Sequence, residues 1–150
     1  MKPLPVLALS ILGLVACAST PPKMTDAERH AFASESLPVD RARAVQLVTD
    51  FLLSEGYSVE HFDESAGLLT TGWRLEAQEA ASKAITGPME QRVQARIRAR
   101  PHGDTEVEFL LFNRFPEVGE DKLNEYPARY DDLMAKFRAF LERATEPEGS

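Results

Sequence analysis

The chain has 150 residues, with 17 lysines and arginines against 24 aspartates and glutamates, for a formal net charge of −7. An acidic surface of this kind binds the phosphate backbone poorly, which excludes nucleic acid as the expected partner. The length leaves room for one domain with a single hydrophobic core. Because Cys17 is the only cysteine, no intramolecular disulfide can form.

The first 16 residues have the layout of a signal peptide, with Lys2 followed by an apolar run that ends at Val15. This run is too short for a membrane-spanning helix, which needs about 20 residues. The sequence Leu14-Val15-Ala16-Cys17 resembles a lipobox, the site at which bacterial lipoproteins receive lipid on cysteine and are then cleaved. We therefore predict removal of residues 1–16 and lipidation of Cys17.

The alternative is an ordinary signal peptidase site at Ala16-Cys17-Ala18, which would release a soluble periplasmic protein. We favour the lipobox because the only cysteine occupies its position. Two or more acyl chains make membrane anchoring stable. Ala18 and Ser19 lack the aspartate that resembles an inner-membrane retention signal, so the expected location is the periplasmic face of the outer membrane, and the inner membrane is less favoured.

Residues 17–37 predict a flexible tether, because they are polar and small and contain Pro21-Pro22. Thr25-Asp26-Ala27-Glu28 has capping-box spacing and predicts a short helix within this segment. A flexible chain of about 20 residues spans about 25 Å. The partner is therefore expected to be a membrane-associated protein.

Residues 38–145 are predicted to form one folded domain, and residues 146–150 a disordered tail. Asp40 can cap a first helix that Gly56 ends. Two β-prone segments follow, Tyr57–Asp63 and Leu68–Arg74, as a first hairpin. Its register stays open, because Val59 and Phe62 have opposite parity and need either a bulge or burial on both faces.

The alternating segment Gln91–Pro101 and the segment Thr105–Arg114 predict a second hairpin. Pairing Ala99 with Val107 places Arg98 opposite Glu108 and Arg100 opposite Glu106. A last helix is predicted to begin near Pro127 and to end before Pro147.

The order α-β-β-β-β-α predicts an α+β domain, a four-stranded antiparallel sheet with two helices packed on one face. Between the hairpins, residues 75–89 are either a helix or a loop. His30, His61 and His102 lack partners at metal-ligand or catalytic spacing, and no nucleophile motif is present. We therefore expect no catalytic site, no metal and no cofactor.

The strongest candidate for a function is a contact surface on the second hairpin. Leu110 and Phe112 share strand parity with Glu106 and Glu108, so the sheet face away from the helices should become apolar toward one end. Such patches often mark protein contacts, although burial beneath residues 75–89 is the alternative. Trp73 is either an interface anchor or part of the core.

Arginines on the other hairpin strand add a second element to this surface. The row Arg92, Arg96, Arg98 and Arg100 suits an acidic partner or anionic headgroups, unless Glu106 and Glu108 neutralise it. The candidate interface residues are Trp73, Arg96, Leu110 and Phe112.

The stretch Arg43–Trp73 resembles BamC-type lipoproteins, accessory subunits of the outer-membrane β-barrel assembly machine. A helix is followed by Gly56-Tyr57-Ser58-Val59, Asp63 and Gly67-Leu68-Leu69-Thr70-Thr71-Gly72-Trp73. The resemblance implies a non-enzymatic accessory role in an outer-membrane assembly or transport complex. The alternative is a periplasmic lipoprotein that binds a lipid or another small apolar ligand between the helices and the sheet.

Overall fold

The computed structural model describes residues 23–76, 87–115 and 122–145. Cys17, the predicted signal peptide 1–16 and the predicted tail 146–150 lie outside these ranges. Residues 75–89 were predicted to be either a helix or a loop, and most of this segment, residues 77–86, also lies outside the described ranges. Residues 87–89 have no regular secondary structure.

The described chain forms three helices and one antiparallel sheet of seven strands, which confirms the α+β class with an antiparallel sheet. The sheet order is β1-β6-β5-β3-β2, with β4 added beside β5 and β7 beside β6. The predicted four strands and two helices are therefore too few. The helices are α1 (Asp26–Ala33), α2 (Arg41–Ser54) and α3 (Pro127–Thr145), and the strands are β1 (Ser34–Leu37), β2 (Val59–Asp63), β3 (Leu68–Thr71), β4 (Arg74–Leu75), β5 (Glu90–Ala99), β6 (Thr105–Arg114) and β7 (Lys122–Leu123).

Part of the predicted tether, residues 26–37, is folded. The capping box forms at Thr25 and Glu28 and begins α1, which packs against α3. Strand β1 then pairs with β6 along one edge of the sheet, and Leu37 is buried in the core. A flexible tether therefore does not extend through residues 26–37. Strand β1 is stabilised by backbone hydrogen bonds to β6, which is distant in sequence. Apolar periodicity in a short polar segment cannot predict such a pairing.

The first hairpin resolves its open register by a bulge. The pairing of β2 with β3 shifts between Val59 and His61. The extra residue lets Val59 and Phe62 both pack against the hydrophobic core despite their opposite parity.

The register of the second hairpin differs from the predicted one by two residues. Ala99 lies opposite Thr105 rather than Val107, because residues 100–104 form a longer turn with Gly103 at φ +90°. Arg96 therefore faces Glu108, and the predicted pairing of Arg98 with Glu108 is wrong.

The core lies between the sheet and helices α2 and α3. The predicted cap of α2 is confirmed, since the Asp40 carboxylate accepts a hydrogen bond of 2.8 Å from the Arg43 amide. Phe51 of α2, Phe109 of β6 and Phe137 of α3 meet at the centre, with ring centroids 5.0–6.0 Å apart. This aromatic cluster fixes one face of the sheet against the helices, which leaves the opposite face for the candidate site.

Candidate functional site: an arginine and aromatic stack on the outer sheet face

The outer face is the side of the sheet opposite α2 and α3. On the paired strands β5 and β6, the residues opposite each other alternate between the core side and the outer face. Core-side pairs such as Val93 with Leu111 are fully buried. The outer face carries Arg92, Gln94, Arg96 and Arg98 of β5, and Glu106, Glu108, Leu110, Phe112 and Arg114 of β6.

Three of these outer-face residues and Trp73, which lies between β3 and β4, form what we call the arginine–aromatic stack: Trp73, Arg92, Phe112 and Arg114. The Arg92 guanidinium carbon lies 4.8 Å from the centre of the Trp73 ring and 5.2 Å from that of Phe112. The Arg114 guanidinium lies 4.2 Å from the Trp73 ring and donates a hydrogen bond of 2.6 Å to Glu90. Cation–π contacts of this kind contribute roughly 0.5–1 kcal/mol each at exposed sites, so together they favour the stacked arrangement.

A bulge places Trp73 in the stack. Thr70 pairs with Gln94 and Arg74 with Gln91, so the β3–β4 side has one residue more than β5 across this interval. Gly72 fits tightly in the bulge: a Cβ there would lie 2.7 Å from the side-chain oxygens of Ser58 and Glu60. A bulge re-aims a side chain, and here the re-aimed side chain is the indole.

A separate ionic cluster occupies the other end of the outer face. Both His30 ring nitrogens lie 3.3 Å from a carboxylate oxygen, one of Glu106 and one of Glu108. Arg96 lies 3.4 Å from Glu108, and Arg100 pairs with Glu106. Because both carboxylates are almost fully buried, the Arg96 and Arg100 guanidinium groups stabilise them. Neutralisation is therefore the alternative that holds for Arg96 and Arg100.

The structure separates the four predicted interface residues. Trp73 and Phe112 are half-buried and meet around Arg92, whereas Arg96 belongs to the ionic cluster. Leu110 is only 3% exposed, so of its two predicted states the buried one holds. In the sequence, nothing distinguished Arg92 from the other three arginines of its row. Its central position in the stack follows from the bulge, and Gly72 was the only sequence feature that indicated the bulge.

A buried polar network supports the strand that follows Trp73. The Tyr57 hydroxyl donates to Gln91 Oε1 at 2.7 Å, and Gln91 Nε2 donates to Asn113 Oδ1 at 3.1 Å. Arg74 stacks on the Tyr57 ring at 3.9 Å and pairs with Glu76 at 2.6 Å. The network therefore anchors β4 directly beside the indole.

Tyr57 makes this network sensitive to alkaline pH. Burial raises the pKa of Tyr57 from 10 to about 12, because the phenolate loses its hydration. A raised pKa contributes stability that is complete below pH 10 and is lost as the pH rises toward 12. Allowing for solvent screening, we expect the wild type to lose about 1–2 kcal/mol through this residue between pH 9 and 12.

The matched variant is Tyr57→Phe, compared with wild type by urea denaturation at pH 8 and pH 11.5. At pH 8 the variant should be less stable by about 1–2 kcal/mol, because Gln91 loses its buried donor. The difference should shrink at pH 11.5. A difference that is the same at both pH values would contradict the assignment.

Among the residues that the structure describes, no group of histidine, cysteine, aspartate and glutamate side chains could hold a metal ion. Within the same ranges no helix has both the length and the apolar character needed to cross a membrane.

The chain matches neither a protein-family model nor a curated protein.

Proposed function

We propose that this protein is a bacterial lipoprotein, held at the periplasmic face of the outer membrane by lipid on Cys17. It acts as a non-enzymatic interaction domain, and the arginine–aromatic stack contacts a membrane-associated protein. The observation that carries the proposal is the stack itself, in which half-buried Trp73 and Phe112 alternate with two arginines. Tryptophan and arginine are the residue types most enriched in the energetic centres of protein interfaces.

The surroundings of the stack also support a role as a contact surface for a partner. Leu75 continues the same face from Trp73 and is 65% exposed, so an apolar side chain extends the surface at its edge. The stack is held by strand pairing on one side and by Arg74 and its partners on the other. A contact surface that is already ordered loses little side-chain entropy on binding, which favours affinity.

An accessory role in an outer-membrane assembly or transport complex is the more specific proposal. It is supported by the sequence resemblance of Arg43–Trp73 to BamC-type lipoproteins. Two glycines of the resembling pattern, Gly56 and Gly67, have positive φ. This conformation is expected where a glycine ends a helix or lies in a hairpin turn. Their conformation supports the structural part of the resemblance, and the partner remains part of the proposal.

The interface proposal is tested by chemical cross-linking in intact cells. Phe112→Glu introduces a charge into the stack and is expected to remove at least one cross-linked product that wild type gives. Loss of an interface anchor costs about 2 kcal/mol or more, which is roughly a thirtyfold loss of affinity.

The matched control is Leu53→Glu on α2, where the wild-type side chain is already 52% exposed away from the stack. This variant should keep the full wild-type set of products. If Phe112→Glu folds normally and also keeps that full set, the interface assignment is overturned.

A further inference from the structure

A groove of about 470 Å³ lies where β7 joins β6, beside the first turn of α3. Ligand-binding pockets have volumes of about 300–1,000 Å³, so the groove is large enough for an elongated apolar group. It adjoins the arginine–aromatic stack, because Leu123 in its lining pairs with Phe112. Its apolar lining comprises Met89, Phe115, Leu123, Tyr126 and Ala128.

Much of the polar lining of this groove is bonded within the protein. The Lys23 ammonium lies 2.6 Å from a carboxylate oxygen of Glu125, so these two charges offset each other. Asn113 and Asn124 also line the groove, and the side-chain oxygen of each accepts a hydrogen bond from another residue of the protein, at 3.1 Å and 2.9 Å. The lining therefore suits an uncharged apolar occupant that needs no hydrogen bonds.

The chain enters the folded domain at this groove. The Met24 amide donates a hydrogen bond of 2.8 Å to the Glu125 carbonyl, and Met24 is buried. Lys23, the residue before it, lines the groove. Cys17 precedes Lys23 by six residues, which span at most about 22 Å when fully extended. Lipid on Cys17 would therefore lie within reach of the groove.

An acyl chain attached to Cys17 has an advantage over a free lipid as the occupant. Attachment makes its binding intramolecular, so a short linker keeps the effective concentration of the chain at the groove high. Exposure of an acyl chain to water is unfavourable in proportion to its apolar area, whereas a bilayer already buries that area. The groove therefore competes for the chain where no bilayer is present.

We propose that this groove holds one acyl chain of the protein's own Cys17 lipid while the protein is outside a bilayer, and that the chain leaves the groove when the protein inserts into a membrane. The inference rests on the proposed lipidation of Cys17. The mass of the N-terminal peptide shows whether the lipid is present, so failure of the lipidation and failure of the groove are distinguishable.

The test uses the mature protein from cells that are fed a fatty acid carrying a diazirine, so that the Cys17 lipid itself is photoreactive. Isotopically light and heavy protein are mixed in detergent, the detergent is removed, and the sample is irradiated. Mass spectrometry should find the N-terminal peptide linked to a peptide that contains Met89, Phe115 or Leu123 of the same isotopic form. In phosphatidylcholine vesicles the yield of this intramolecular product should fall by about fivefold or more, because the bilayer buries the chain instead.

Ala128→Trp and Ala135→Trp form a matched pair on α3, since both alanines are exposed and only Ala128 lines the groove. Ala128→Trp should abolish the intramolecular product by filling the groove, whereas Ala135→Trp should give the wild-type yield. A folded Ala128→Trp protein that keeps the product would overturn the site, and so would a product confined to other peptides. A product that joins light to heavy chains would identify a second copy as the occupant and overturn the proposal.

Discussion

Replacing Gly67 with alanine is expected to lower the free energy of unfolding by about 3 kcal/mol or more. Gly67 precedes β3 and has φ +64°, a backbone conformation that residues other than glycine rarely adopt. A Cβ at this position would also lie 2.3 Å from the carbonyl oxygen of Ile97. The strands cannot simply separate, because the Ile97 amide donates a hydrogen bond of 2.7 Å to the Gly67 carbonyl.

Gly103→Ala is the matched control for this prediction. Gly103 has φ +90°, but a Cβ there would meet no atom within 4 Å. Its substitution carries only the conformational cost, about 1–2 kcal/mol. Urea denaturation of the two variants separates steric overlap from backbone strain. The close approach of Gly67 to β5 would be contradicted if Gly67→Ala were no more destabilising than Gly103→Ala.

Replacing Phe51 with alanine is expected to lower the free energy of unfolding by about 3–5 kcal/mol. Phe51 is fully buried, and its ring centre lies 5.0 Å from that of Phe137 and 6.0 Å from that of Phe109. The substitution leaves a cavity at the point where both helices meet the sheet. Loss of the aromatic contacts adds to the loss of buried apolar area.

Leu53→Ala on the same helix provides the comparison, because Leu53 is 52% exposed. It should change the free energy of unfolding by no more than about 0.5 kcal/mol. Both variants are measured by urea denaturation under the same conditions. Similar losses for the two would contradict the packing of α2 against the sheet.

The elements that sequence analysis located correctly are those with sustained local periodicity. Helix α2 begins after its Asp40 cap as predicted, and α3 begins at Pro127. Strand β6 covers the predicted range Thr105–Arg114. In the two helices apolar residues recur at the helical period over most of the length, and in β6 Val107, Phe109 and Leu111 alternate along one face.

The missed strands are short and owe their structure to their partners. Strands β4 and β7 have two residues each, and β1 has only three polar residues before Leu37. None of them contains a pattern long enough to show a period. Each one completes the hydrogen bonding of β5 or β6, which depends on contacts distant in sequence.

The candidate site was only partly predictable for the same reason. Strand parity placed Phe112 on the outer face, and Trp73 was recognised as a strand-end aromatic. Their meeting around Arg92 requires the bulge at Gly72, and the burial of Leu110 depends on tertiary packing.

We propose that lipid on Cys17 holds this domain at a membrane surface, where it works. The most direct measurement compares wild type with Cys17→Ser by membrane fractionation, together with the mass of the mature N-terminal peptide. Wild type should fractionate with the outer membrane and carry acyl chains on an N-terminal Cys17, whereas Cys17→Ser should lose the lipid and fail to be processed at that position. An unmodified wild-type cysteine, or a chain that starts at Ser19 and is recovered in the soluble periplasmic fraction, would contradict the claim.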